Sequence, residues 1–458
     1  LRNKNVCAAA HPQKRAYTLL SEPGLDEHEG CASMKFASYW HETSVPFAGG
    51  VVGPVSGDFE VAVIGAGFTG LSAARKLAKS GVKVALLEAE HVGYGASGRN
   101  GGHLNSGHFA SFSAAKRHFG EIQARRLWRA YDDSIDMIEA LIEEEKIDCN
   151  FRRGGKLKLA SKPSHVGKLQ AIFEEIRREV DPSAEWLTRE DLRNEVRSGA
   201  FHGAILSPKS AMMHMGRYAN GVANAAHRYG AAIWEQNPVI GRERAANGWR
   251  LITPTGSLTA RQVILATDAY TSGAFGYFSR RMMPIASFII ATRPLTEQEI
   301  AATVPGNRNF TNSLNIANYF RLTPDNRMLF GGRARFSAES NQKTDVSSGQ
   351  LLRKQMVGIF PQLESVEIDY CWGGLVGCTQ DRYPRAGSAD GVIYSMGYSG
   401  HGAQLSTFMG NALADMAMGR KDANPLEGMA WRAVPMHTGK PWFLPIVGAY
   451  YRMKDMLP

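Results

Sequence analysis

Apolar and polar positions follow two different periods along this chain, and the switches between them outline its elements. Glu60-Val-Ala-Val-Ile64 is nearly all apolar, which predicts a short buried strand. Leu71–Ser80 repeats Ala, Leu and Lys at helical spacing, Gly81 ends that helix, and Lys83–Leu87 is a second apolar strand. Ile122–Glu145 spaces Leu127, Tyr131, Ile135, Ile138 and Leu141 three or four apart, as an amphipathic helix does. Lys156–Leu159 alternates like a strand, Ser164–Glu179 and Tyr218–Tyr229 read as helices, and Leu187–Glu195 carries a Thr-Arg-Glu-Asp helix start. A strand is expected near Ala232–Glu235. Trp249–Thr253 and Ser257–Ile264 alternate about the turn Thr253-Pro-Thr-Gly256, a hairpin signal. Strands then dominate, at Ile285–Thr292, Tyr319–Leu322, Met328–Gly331 and Val366–Trp372. A last helix is predicted over Ala403–Met418, with Gly419 as its stop.

Chemistry enters at the junctions between these elements. The first strand meets its helix through Gly65-Ala66-Gly67-Phe68-Thr69-Gly70, and Glu88-Ala89 follows the second strand. Glycine spacing, both strands, the helix and the acid together form the βαβ dinucleotide fingerprint. Its first glycine allows the tight turn, the second lets backbone approach a pyrophosphate, and the third lets helix pack on strand. The helix start offers amides and positive dipole to phosphate, and Glu88 can accept from ribose hydroxyls.

Two further glycine clusters say which dinucleotide. Gly93-Tyr-Gly-Ala-Ser97-Gly98-Arg99-Asn100-Gly101-Gly102 is too rich in glycine for an ordinary third strand. A nicotinamide enzyme needs no such loop, whereas a flavin enzyme needs backbone close to the edge of a fixed ring. Gly397-Tyr398-Ser-Gly400-His401-Gly402 feeds the last helix. Amides at that helix start can stabilise the charge that develops on a reduced flavin. In this order the motifs resemble those of the D-amino-acid oxidase and sarcosine oxidase superfamily of FAD-dependent oxidoreductases. Within it, the Ser-Gly-Arg-Asn-Gly-Gly loop, the run Tyr319–Arg327 and Pro441-Trp-Phe-Leu-Pro445 are similar to the gamma-glutamylputrescine oxidoreductases.

The resemblance, which covers most of Phe36–Pro458, implies an α/β flavoprotein of two domains. One is a Rossmann-like FAD-binding domain in three segments (58–135, 200–280 and 373–425). The other is a substrate domain on a mostly antiparallel sheet (136–199 and 281–372). Residues 1–57 are expected to be an extension and lead-in, with Met34 resembling a natural start, and 426–458 a C-terminal segment. Val239, near a backbone contact to adenine, and Ala266-Thr267, where the chain returns beneath the FAD, join the expected cofactor contacts. Asp268 stands where relatives usually carry glycine, which leaves that tight turn open.

The implied reaction is dehydrogenation of a C–N bond in a small amine or N-substituted amino acid. Hydride passes to flavin N5, the imine hydrolyses, and O2 is the expected final acceptor, giving H2O2; a quinone or carrier protein is the alternative. Such chemistry needs no strong side-chain base, because the flavin carries it. His103 is a candidate to hydrogen-bond substrate or tune the flavin, or else a structural histidine. Tyr319 and Arg321 share one face of a strand, and a Tyr/Arg pair clamps the substrate carboxylate in amino-acid-oxidising relatives; a surface ion pair is the other reading of Arg321. Trp372 and Tyr398 are candidate walls of the amine pocket, or plain core aromatics. Relatives that use O2 place a lysine over the flavin, but the matching strand Asn326–Arg333 offers only Arg327 and Arg333. Gly374 falls near the position of a flavin-attaching cysteine, with Cys371 and Cys378 to either side, so noncovalent FAD is expected.

Composition narrows the rest. With 44% hydrophobic and 21% charged residues among 458, the chain is neither disordered nor fibrous. Its longest apolar run, Met282–Ala291, is too short to span a bilayer, and no signal-peptide apolar region precedes it. Five scattered cysteines without CxxC or metal spacing predict free thiols, no metal and a cytoplasmic setting. The net charge of +10 is not clustered into a basic stripe, so no nucleic-acid partner is expected.

Overall fold

The computed structural model describes residues 34–456 apart from 109–110, 272, 333–341, 421–423, 436 and 438–440. The expected extension 1–33 and Arg333 lie outside these described residues. Met34–Pro458 is one compact unit.

Two large sheets organise it. The first has the strand order Arg385–Ala389, Val392–Met396, Ser257–Leu265, Asp58–Ile64, Val84–Leu87, Ala232–Trp234. Asp58–Ile64 runs parallel to both neighbours, so its carboxyl end, where the first glycine motif begins, lies at the middle of the sheet. The predicted hairpin is present, with Gly248–Ile252 antiparallel to Ser257–Leu265. Helix Phe68–Lys79 packs between helices Met215–Arg228 and Leu405–Ala417. Contact with the last is close: Ser72 donates to the Thr407 carbonyl at 2.8 Å.

The second sheet is mostly antiparallel, in the order Ile368–Cys378, Met283–Pro294, Arg327–Gly332, Asn318–Leu322, Asn309–Asn312, Lys156–Leu159, Ala204–Ser207, Glu185–Leu187. One pair, Asn309–Asn312 with Lys156–Leu159, is parallel. Strand alternation divides the sheet into two faces. Leu157, Phe310, Phe320 and Phe330 form an apolar face, with Phe310, Phe320 and Phe330 stacked in sequence. Lys156, Thr311 and Tyr319 belong to the other.

Three expectations are corrected. Leu187–Glu195 is not a helix; Leu187 ends a strand and only the single turn Asp191–Asn194 follows. Thr188 and Asp191 do bond each other as a helix start requires. Beyond that turn, however, the Glu195 carboxylate is held by Arg308. The strand expected over Val366–Trp372 continues to Cys378, because its pairing with Met283–Pro294 outweighs the poor strand propensity of Gly373, Gly374 and Gly377. Ala204–Ser207 pairs within the second sheet although segment 200–280 was expected in the FAD domain. Helices Gln342–Ile359 and Leu444–Met456 have no counterpart among the expected elements.

Gly70 shows how tightly the cofactor side is drawn together. A Cβ built there lies 1.9 Å from the Gly65 carbonyl oxygen. Gly70→Ala therefore forces helix from strand and is expected to cost about 1–3 kcal/mol, read as a lowered melting temperature; an unchanged melting temperature would contradict the packing.

Candidate active site

The two sheets share a cavity of about 840 Å³, near the upper end of the usual range for ligand pockets. One end is built from the first glycine motif: Gly65, Gly67, Phe68 and Thr69, with Glu88 and Ala89 beyond. The Glu88 carboxylate accepts from the Ala66 amide at 2.6 Å and from the Glu90 amide at 2.9 Å. Burial raises its pKa against those bonds. Val239 lines the same region, next to Asn237, whose amide bonds the Glu88 carbonyl. Ala266, Thr267 and Asp268 form part of the wall.

The second glycine cluster is held by its carbonyls. Ser38 donates to Gly98 O at 2.7 Å, Trp372 Nε1 to Arg99 O at 3.0 Å, and Trp40 Nε1 to Asn100 O at 2.6 Å. Arg321 Nη1 donates to Gly102 O at 2.7 Å. Inside the loop, Asn100 Nδ2 bonds Ala96 O and Ser97 O while its Oδ1 accepts from Gly102 N. Ser97 Oγ accepts from the Phe68 amide at 2.9 Å, which ties the first two clusters together. Arg99 lies along Tyr94 and bonds Tyr94 O and Gly373 O. Every one of these contacts leaves the amides of Asn100 and Gly101, both residues of the cavity wall, without a partner among the described residues.

The third cluster behaves alike. Asp268 adopts φ +41° and its carboxylate accepts from the Gly397 amide at 2.7 Å, so the departure from glycine creates a tie between strand ends. Burial raises the Asp268 pKa, opposed by amide bonds from Gly397, Ala269 and Gly377. Tyr398 bonds Thr69 and Ser395 through its hydroxyl. Gly400, His401, Gly402 and Ala403 line the cavity, and the amides of Gly402 and Ala403 are unpartnered among the described residues. Four free amides on two loops, with a carboxylate at the far end, form a donor set that suits FAD.

Several expected contacts stand behind the wall instead of in it. Ala66, Gly70, Gly98, Gly102 and Gly397 shape the loops without lining the cavity. Arg321 is a correction: it is 1% exposed and spends its guanidinium on Gly102 O and on Met213 O at 3.2 Å. Tyr319, on the same strand face, does reach the cavity, but Arg321 lies deeper, against Trp40. Trp372 is corrected likewise, because it is buried and bonded to Arg99 O. Arg327 is paired with Asp325 and Asp369, away from the wall.

The substrate end has residues that sequence reasoning missed. Lys156, Ser287, Thr311 and Asn315 line it from the second sheet and its loops, together with His103, Asn105 and Tyr319. The Lys156 side chain makes no hydrogen bond or ion pair among the described residues, and burial, then Lys158, pushes its pKa down to about 7. His103 lies edge-on to Tyr319 at 5.6 Å. Burial, then Arg321, Lys156 and His401, holds it well below the usual histidine range, so it is neutral. His103 Nε2 and Asn105 Oδ1 are buried without partners among the described residues. The signal for Lys156 was the alternation of Lys156-Leu-Lys-Leu159, which puts lysine on the face opposite the leucine core; nothing in the sequence says what that face meets.

A Rossmann-type sheet joined by such a cavity to a large antiparallel sheet defines a flavin-dependent oxidoreductase. The chain belongs to the FAD dependent oxidoreductase family, whose model matches residues 60–416. It is 32% identical over 404 residues to gamma-glutamylputrescine oxidoreductase of Escherichia coli (strain K12), covering 87% of this chain and 93% of that one. It is 33% identical to the probable oxidoreductase OrdL of Haemophilus influenzae, over 79% of this chain and 83% of the relative. The fold is similar to that of glycine oxidase from Geobacillus kaustophilus, with a TM-score of 0.71 at 22% identity, covering 82% of this chain and 98% of that one.

Arg321 therefore serves the cofactor loop. Arg321→Met leaves the buried Gly102 carbonyl short of a donor, an expected loss of about 1–3 kcal/mol. Weaker FAD retention in equilibrium dialysis, with unchanged preference among substrates, is the expected outcome. A selective loss of carboxylate-bearing substrates would restore the clamp.

Proposed function

We propose that this enzyme oxidises the C–N bond of a small amine that also carries a carboxylate, using noncovalently bound FAD. The observation that carries this reading is the charge at the two ends of the cavity. Its acidic lining residues are Glu88, Glu90 and Asp268, none of them on the second sheet, whereas Lys156 stands alone on that sheet's side. A cation with no partner among the described residues suits an anionic group of the substrate. The same positive surroundings disfavour an ammonium and favour the neutral amine from which hydride departs.

Bound FAD supplies the hydride acceptor, and the imine left behind is hydrolysed by water to a carbonyl compound and an amine or ammonia. The chain's own residues bind and orient. The amides of Asn100, Gly101, Gly402 and Ala403 hold the flavin, Glu88 the ribose, and the Gly67–Thr69 helix start the phosphates. Lys156 takes the carboxylate, and neutral His103 accepts a hydrogen bond from the amine at Nε2. Tyr319 closes the pocket beside it. Among the described residues no cysteine lines the cavity, which supports noncovalent FAD. O2 is the acceptor in this reading. The FAD domain comprises the first sheet and its helices, and the substrate domain the second sheet with 204–207 included. Cys149, Cys371 and Cys378 are buried, and a cytoplasmic setting belongs to the same reading.

Anaerobic mixing with amines, N-substituted amino acids and gamma-glutamyl amines, read by the visible flavin band, tests the proposal. Bleaching by carboxylate-bearing amines is expected, and peroxide on admission of air; bleaching only by amines without a carboxylate would overturn it. Reduced enzyme stable in air but discharged by a quinone would replace O2 as acceptor.

Lys156→Met should raise KM for the anionic amine by about tenfold to a hundredfold, the worth of a charge-assisted hydrogen bond, with little change for its uncharged amide analogue. Lys156 is charged below its pKa of about 7 and neutral above it. Its contribution is thus present at low pH and fades as pH rises through 7. The ratio of kcat/KM between the wild type and Lys156→Met should fall toward one as pH is raised; a constant ratio would remove Lys156 from substrate binding.

A further inference from the structure

Helix Leu444–Met456 has two unlike faces. Leu444 and Gly448 are buried, and Val447 and Tyr451, like Ile316 and Val376, pack against the cluster of Ile285, Cys378 and Leu444. The helix's one acid, Asp455, also faces inward, accepting from the Asn315 amide and side chain and from the Ile316 amide, each at 2.8 Å. Asn315 and Val376 line the cavity, so this inner face closes over the substrate end.

The outer face has no partner among the described residues. Ile446, Tyr450, Met453 and Met456, with Trp442 just before the helix, are between 50% and 81% exposed. They account for five of the twelve large apolar side chains exposed among the described residues, within a stretch of fifteen. A scatter of single exposed apolar residues is ordinary, whereas a cluster marks an interaction surface. Spacing of three and four places Ile446, Tyr450, Met453 and Met456 on one stripe, with exposed Ala449 between them. At about 100° per residue, Arg452 falls along one edge of the stripe and Lys454 along the other. Lys454 lies over the Tyr450 ring at 5.5 Å. Outward charge on this helix is therefore only positive.

We propose that this outer face docks on an anionic lipid bilayer, with the helix lying in the headgroup layer parallel to the surface. Its thirteen residues are far short of a membrane span, and no described helix is long and apolar enough to cross one. Tryptophan, tyrosine and aliphatic side chains flanked by cations are the composition of an interfacial helix. The long stems of Arg452 and Lys454 reach up to phosphates while the stripe sinks below them. Charge chooses between occupants. Pairing this face with a second copy brings cations against cations, whereas an anionic bilayer neutralises both edges. Docking places the substrate end of the cavity next to the membrane surface.

The test is flotation of the FAD-loaded full chain with vesicles of phosphatidylcholine alone and of a phosphatidylcholine–phosphatidylglycerol mixture. Binding to the anionic vesicles, weak binding to the neutral ones and partial release by salt are expected. Ile446→Ser/Tyr450→Ser/Met453→Ser should lower the bound fraction by more than about tenfold while keeping the flavin band and the melting temperature. Arg452→Glu/Lys454→Glu, which leaves the apolar stripe intact, should abolish the preference for anionic lipid. No binding to anionic vesicles, or equal binding by the triple variant, overturns the proposal. So does a dimer in size-exclusion chromatography with light scattering that the triple variant converts to monomer, since a second copy would then own the face.

Discussion

The carbonyls of the glycine loop 93–102 are fixed from outside, and the cofactor side of the molecule depends on it. Glycine-rich backbone has no side chains to hold it in place, and its freedom must be removed by something else. Here the donors come from distant parts of the sequence: Ser38 and Trp40 from the lead-in segment, Arg321 and Trp372 from the second sheet. Each bond contributes only about 1 kcal/mol net, but together they orient successive peptide units. The amides of Asn100 and Gly101 are left for a ligand at no further cost in ordering. The same logic recurs at the third cluster, where the Asp268 carboxylate pins Gly397 and the amides of Gly402 and Ala403 have no partner among the described residues.

This arrangement also joins the two sheets. Arg321 and Trp372 belong to the substrate-side sheet yet spend their polar atoms on the loop of the nucleotide side. A substitution on one side is thereby felt on the other. Two residues that look like substrate contacts are structural supports for the glycine loop 93–102. In the proposed reading, substrate recognition passes to Lys156 and His103, whose charge states are set by burial at the meeting of both sheets.

The three glycine motifs and their strand–helix contexts were legible because they are local. Each is a run of fewer than a dozen residues whose backbone needs dictate the residue types, and all three fall on one cavity. The alternation that makes strands was equally plain in Lys156–Leu159 and Ser257–Leu265. What the sequence did not show is non-local. The depth of Arg321 depends on Trp40 and Gly102, residues far off along the chain. The length of Ile368–Cys378 depends on its pairing partner. The helix start at Thr188–Asp191 is chemically real, yet an ion pair from Glu195 to Arg308 diverts the chain one turn later. Lys156 was visible as a residue on an alternating strand, but only the packing of two sheets puts it in a cavity.

Hydrogen exchange of the backbone amides, compared between the FAD-free and FAD-loaded protein, tests the central claim most directly. The account predicts strong protection on FAD binding at Asn100, Gly101, Gly402 and Ala403. Gly98 and Arg99, whose amides already bond Gly95 O and Ala96 O, should change little. Unchanged exchange at those four amides, with protection confined to the Gly65–Gly70 turn, would contradict a loop held ready by its carbonyls.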